Sequence, residues 1–114
     1  MNTSYFSKSK KFPEKRLVSI ANITPKWFEG EEYKALAPNW DTVDAWKKSA
    51  KTEEDWKNYK RDYYKSKLSK LDAKKVYEDL KDAVLLCYEK EPPCHRFLVA
   101  EWIEKELGIK VEEL

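Results

Sequence analysis

Glycine is nearly absent from this chain, with two in 114 residues. So little glycine, beside 14% aromatic residues, describes a helix-rich chain rather than a disordered tail. Long apolar runs are missing as well. No stretch approaches the roughly 18 apolar residues that span a bilayer, so no membrane partner is expected. The first sixteen residues carry Lys8, Lys10, Lys11, Lys15 and Arg16 against Glu14, without the apolar core of a signal peptide. A charge excess of one sign is lacking too: 23 Lys and Arg face 21 Asp and Glu, a net +2. That excludes the large basic field needed for counterion-driven nucleic-acid binding and leaves room only for a local patch. Cysteine is limited to two residues with no secretory context, which predicts a reducing, cytoplasmic setting.

What is present is 41% apolar, 39% charged and 14% aromatic residues, including five Trp and seven Tyr. A chain of this size and make-up can bury one core, so residues 1–114 are expected to form a single compact α/β domain. Residues 3–6 (Thr-Ser-Tyr-Phe) are β-prone, and Leu17 to Ala21 has the length and composition of a buried strand. The two are expected to lie together in the sheet. The segment between them is too short for a typical helical crossover, so a parallel arrangement requires a skipped strand position or an irregular loop. From Pro25 to Trp40 the aromatics follow no clean period, which predicts an ordered loop with one helical turn.

Asp41 or Thr42 can cap a helix to about Ser49. Thr52 and Asp55 form a capping box for a second helix with Trp56, Tyr59 and Tyr63 on one face. Asp72 starts a third, with Val76, Leu80 and Ala83 on one stripe, leading into a strand from Val84 to Tyr88. The last helix begins beside Pro92-Pro93, presents Phe97, Ala100, Ile103 and Leu107, and stops at Gly108. Residues 109–113 can add a final strand. The expected fold is a small, mostly parallel sheet of three to four strands flanked by helices.

Five functional side chains crowd residues 87–96, where a strand gives way to a helix, the place at which open α/β sheets put their ligand sites. Cys94, at the helix start, meets exposed amides that can lower a thiol pKa and make it a nucleophile; a tightly fitting small residue is the alternative. His95, the single histidine, suits proton transfer, or else holds the turn through a loop carbonyl. Arg96 suits a phosphate or carboxylate, or a structural pair with Glu89 or Glu91. Cys87 and Glu89 share a strand face by the period of two, opposite Tyr88, and Glu89 is expected to meet His95, Arg96 or a substrate group. Adjacent Cys-His ligands without a CxxC make a poor zinc pattern, so no metal and no cofactor are expected. A Cys87–Cys94 disulfide fits their spacing; a reducing compartment argues against a permanent one and leaves a reversible one open.

These residues carry a family likeness. LLCYEK followed by CHRFLVAEW resembles the signature of the domain of unknown function 488 family, in which a strand ending in Leu-Cys-x-Glu precedes a Cys-His-Arg helix start. Thr24-Pro25-Lys26-Trp27-Phe28, Tyr33, Leu36, Ala37 and Pro38 match its upstream segment, and Thr3 to Phe6 looks like its first strand. The resemblance implies a compact α/β domain with shared polar residues gathered at the strand ends, and brings no established activity. Longer relatives have Asp-x-Arg at the end of the second strand, where this chain has Ile20-Ala21-Asn22, and the region between the first two strands is shorter here.

Two functions compete on this reading. One is an enzyme acting on a nucleotide-like or phosphorylated small molecule or a nucleic-acid base. Cys94, His95 and Glu89 would be catalytic, Arg96, Cys87 and Asn22 would bind, and Tyr5, Trp27 and Tyr33 would wall the pocket. The other is a non-catalytic protein- or nucleic-acid-binding module in which the same cluster locks strand, loop and helix together while the aromatic loop from Trp27 to Trp40 contacts the partner. Lysines interleaved with Trp and Tyr over residues 46–67 motivate its nucleic-acid form.

Overall fold

A computed structural model describes all 114 residues. It contains five strands, β1 (Asn2–Tyr5), β2 (Arg16–Ser19), β3 (Glu31–Glu32), β4 (Ala83–Cys87) and β5 (Glu112–Glu113). Five helices accompany them: α1 (Phe6–Ser9), α2 (Trp40–Lys48), α3 (Glu53–Ser66), α4 (Ala73–Leu80) and α5 (His95–Leu107). The sheet is parallel throughout, in the order β3-β2-β4-β1-β5, so the α/β class holds and the strand count exceeds the expected three to four. The extra strand is β3, two residues inside the aromatic loop and too short to leave a periodic signal.

β4 explains the arrangement. All of its residues, AVLLC, are buried, and it pairs with β1 on one side (Thr3 opposite Leu85) and β2 on the other (Val18 opposite Leu85). Only a strand covered on both faces can be apolar at every position. Ala83 and Leu85 join the larger core with Val18, Ile20, Tyr63, Val76, Leu80, Val99 and Ile103; Val84 and Leu86 join a smaller one with Phe6, Phe12 and Ala21. Helices α3, α4 and α5 cover the first face, and α1 with the loop around Phe28 covers the second. β1 and β2 are therefore not neighbours: β4 lies between them. The single-turn α1 and a short loop carry the chain past that position.

Sequence-specified ends hold the helices. Thr52 and Asp55 exchange side-chain bonds with each other's backbone amides, Asp72 accepts from the Lys74 amide, and Gly108 closes α5 at φ 67°. Ala83 belongs to β4 rather than to the α4 stripe. The buried side of α5 is also different from the expected one: His95, Arg96, Leu98, Val99, Trp102 and Ile103 are inside, while Phe97, Ala100 and Leu107 are only partly covered. The helix packs on the sheet and on α4 at once, so its first two turns are buried over more than one stripe.

Candidate functional site

The carboxyl ends of β2 and β4 are neighbours, yet the chain leaves them in opposite directions, from β2 outward to β3 and from β4 through α5 to β5. Such a divergence opens a crevice between the two departing loops. A cleft of about 540 Å³ occupies it, with Ala21 and Asn22 from the β2 end and Cys87, Tyr88, Glu89, Cys94 and His95 from the β4 end among its walls. Its far wall is aromatic and comes from α2 and α3: Trp40, Trp46, Trp56 and Tyr59, with Lys47 and Lys51 beside them. Trp46 meets Trp56 edge-on at 5.5 Å between centroids, and Trp56 stacks on Tyr59 at 4.9 Å. Trp40 and Tyr88 remain 55% and 51% exposed, an unusual amount of aromatic surface left wet at one opening.

At the floor, His95 is buried and its Nε2 lies 2.7 Å from the carbonyl oxygen of Ile20. A carbonyl only accepts, so Nε2 carries the proton and donates it, and Nδ1 keeps its lone pair. That lone pair faces Cys94, whose Sγ is 3.8 Å away. Burial, opposed by the Ile20 bond and aided by the nearby Arg96 charge, pushes the His95 pKa down to about 4, so the ring is neutral near pH 7. The Cys94 sulfur is bonded to that of Cys87, closing a disulfide at the cleft floor. Together with Nδ1 of His95, the two sulfurs form a buried group whose ligand-type atoms all lie within 4.8 Å of one another.

Arg96 has a different task from the expected ligand-binding one. It is fully buried, outside the cleft lining, and each of its N–H groups is taken. Nε and Nη2 donate to the Glu113 carboxylate, Nη1 to Cys87 Sγ at 3.1 Å and to the Glu89 carbonyl, and Nη2 also to the Lys90 carbonyl. The guanidinium lies over Phe97 at 4.4 Å and near the Tyr5 ring at 5.8 Å. A guanidinium with no free donor cannot take a further anion from the cleft. Its carboxylate partner is Glu113, from the far end of the chain, rather than Glu89 or Glu91.

The proposed aromatic walls are also placed elsewhere. Tyr5 sits beside Arg96 because β1 lies beyond β4 from the cleft. Trp27 packs edge-on to Phe6 and Phe28 under Lys10, on the other face of the sheet. Tyr33 donates its hydroxyl to Asp79 at 2.9 Å. Asn22 does line the cleft, with its amide nitrogen donating to the Pro38 carbonyl. Cys87, Tyr88 and Glu89 all line it together, because β4 ends at Cys87 and strand alternation stops there. Cleft residues that the sequence does not single out are Trp40, which reads as part of the aromatic loop, and Trp46, Lys47, Lys51, Trp56 and Tyr59, which fall in the Lys-and-aromatic run over residues 46–67.

No helix is long and apolar enough to cross a membrane. A family model described as "Active DUF488-N3 subclade" matches residues 13–107, which include both cleft-forming loops and the Cys-His-Arg helix start. Comparison with curated proteins and with solved structures returned no match.

Proposed function

The chain belongs to the domain of unknown function 488 family, and from the cleft's make-up we propose an enzyme that acts on a nucleotide-like small molecule with an aromatic ring and a negative charge. One observation carries the proposal: an aromatic-walled crevice at the diverging strand ends has a neutral imidazole lone pair and a sulfur at its floor. Exposed Trp40 and Tyr88 offer faces on which a planar ring stacks, an interaction worth roughly 1–3 kcal/mol per base. Lys47 and Lys51 take the anion-binding part that Arg96, fully engaged, cannot. With a pKa near 4, His95 is a hydrogen-bond acceptor rather than a proton store at neutral pH, so proton transfer falls to Glu89. Cys94 serves as nucleophile only when its bond to Cys87 is open.

A second reading is favoured by the contacts of Arg96 and His95 themselves, which tie the loop to Ile20 and Glu113. In it the same cleft binds its ligand without reaction. Fluorescence titration of the tryptophans with nucleosides and nucleoside monophosphates tests both. Quenching by the monophosphate that weakens about tenfold in Trp40→Ala supports the pocket, and conversion of the bound compound separates enzyme from binder. No change with any of these compounds up to millimolar concentration overturns the pocket assignment.

A further inference from the structure

The two sulfurs at the cleft floor are chemically unequal. Cys87 is 1% exposed, and its Sγ accepts a hydrogen bond from the Arg96 guanidinium at 3.1 Å. Cys94 lines the cleft as Cys87 does but is the more exposed of the two at 7%, makes no capping bond to the amides of α5, and has His95 Nδ1 as its polar neighbour. A cation beside a sulfur stabilises its thiolate and makes it the better leaving group. Access thus favours attack at Cys94, and charge favours departure of Cys87.

The geometry points to a thiol–disulfide exchange centre, in which a small-molecule thiol enters the cleft, attacks Cys94 Sγ and expels Cys87. In the first step the incoming thiolate forms an S–S bond to Cys94. The Cys87–Cys94 bond breaks, and its electron pair leaves on Cys87 as a thiolate held by Arg96. In the second step another small thiolate attacks the small-molecule sulfur of that mixed disulfide. The small molecules depart as a disulfide, and Cys94 leaves as a thiolate that takes a proton from water and then donates its S–H to the lone pair on His95 Nδ1. Two electrons pass from two small thiols to the protein pair. Run backwards, the dithiol reduces a small disulfide. This activity needs no other occupant of the cleft, so it stands or falls separately from the nucleotide-like ligand.

The experiment is equilibration of the native protein in reduced and oxidised glutathione, followed by acid quench, maleimide labelling and mass spectrometry. Both thiols are expected to appear together without loss of the circular-dichroism signal. Brief exposure to a low concentration of reduced glutathione should give a mixed disulfide that peptide mapping places on Cys94. With oxidised glutathione, Cys87→Ser should form the adduct at Cys94 at least about tenfold faster than Cys94→Ser forms one at Cys87. Should either variant fail to fold, the mapping on the unmodified chain decides alone. Reduction only in denaturant, or an adduct found mainly on Cys87, overturns the inference.

Discussion

Arg96 and Glu113 are joined through two guanidinium nitrogens, Nε and Nη2, the latter 2.9 Å from the carboxylate, so the first turn of α5 is fastened to the last strand of the sheet. The same guanidinium holds the Glu89 and Lys90 carbonyls, which otherwise would leave the turn after β4 without donors. Removing one partner of a buried charged network leaves the rest unmatched. Arg96→Met is expected to cost roughly 3 kcal/mol or more in urea unfolding. Glu113→Gln keeps an acceptor but takes the only carboxylate away from that fully buried cation, so it should cost about 1–3 kcal/mol, less than Arg96→Met. Equal losses from the two would contradict this division.

His95 supplies a pH signature. Its folded pKa, about 4, lies below the ordinary 6.5, so between those values the unfolded chain binds a proton that the folded chain refuses. Stability is therefore unaffected by this group above pH 6.5, and falls by about 1.4 kcal/mol per unit as pH drops toward 4. Carboxylates held low by cations, such as Glu31 and Asp82 beside Arg16, add an acid loss of their own. His95→Gln keeps an N–H donor for Ile20 but cannot titrate. Its denaturation free energy plotted against pH should be shallower over that window than that of the unmodified chain; identical slopes would refute the assignment.

Lys51, between α2 and α3, holds a left-handed φ of 57°. That conformation costs a side-chain-bearing residue about 1 kcal/mol, and glycine adopts it freely. Lys51→Gly is expected to raise the melting temperature by a few degrees while weakening binding of nucleoside monophosphates relative to nucleosides. A stabilised variant with undiminished phosphate preference would remove Lys51 from the site.

Gly30 stands where a Cβ would press into the Phe28 ring and lie 2.6 Å from the Leu17 carbonyl oxygen. The oxygen belongs to β2 backbone and cannot swing aside. Gly30→Ala should cost about 1–3 kcal/mol by thermal unfolding, with an altered near-ultraviolet signal from the aromatic loop. A neutral result would mean that the loop relaxes freely.

Local chemistry was readable where it is self-contained. Thr52 with Asp55, Asp72 and Gly108 mark helix ends because their partners lie within a few residues, and the apolar run expected as a strand from Val84 to Tyr88 falls on β4, which is shifted by one residue to Ala83–Cys87. The grouping of Cys87, Glu89, Cys94 and His95 around one cleft followed from their shared loop. Relations fixed by tertiary packing were not readable. Nothing near Arg96 in the sequence indicates Glu113, Tyr5 looks equivalent to any aromatic at a strand end until β4 is known to separate it from β2, and Trp40 reads like the other loop aromatics although it alone reaches the cleft mouth.

The central position of β4 also bears on how the chain acquires its shape during synthesis. β1 and β2 find their main hydrogen-bonding partners at residues 83–87, and without them β2 has only the two-residue ladder to β3. The amino-terminal strands must therefore wait on the ribosome until β4 has emerged. Helices α3 and α4 can meanwhile form on their own capping signals. A nascent chain halted before Ala83 should be readily digested by protease, and one released with β5 and Glu113 in place should resist.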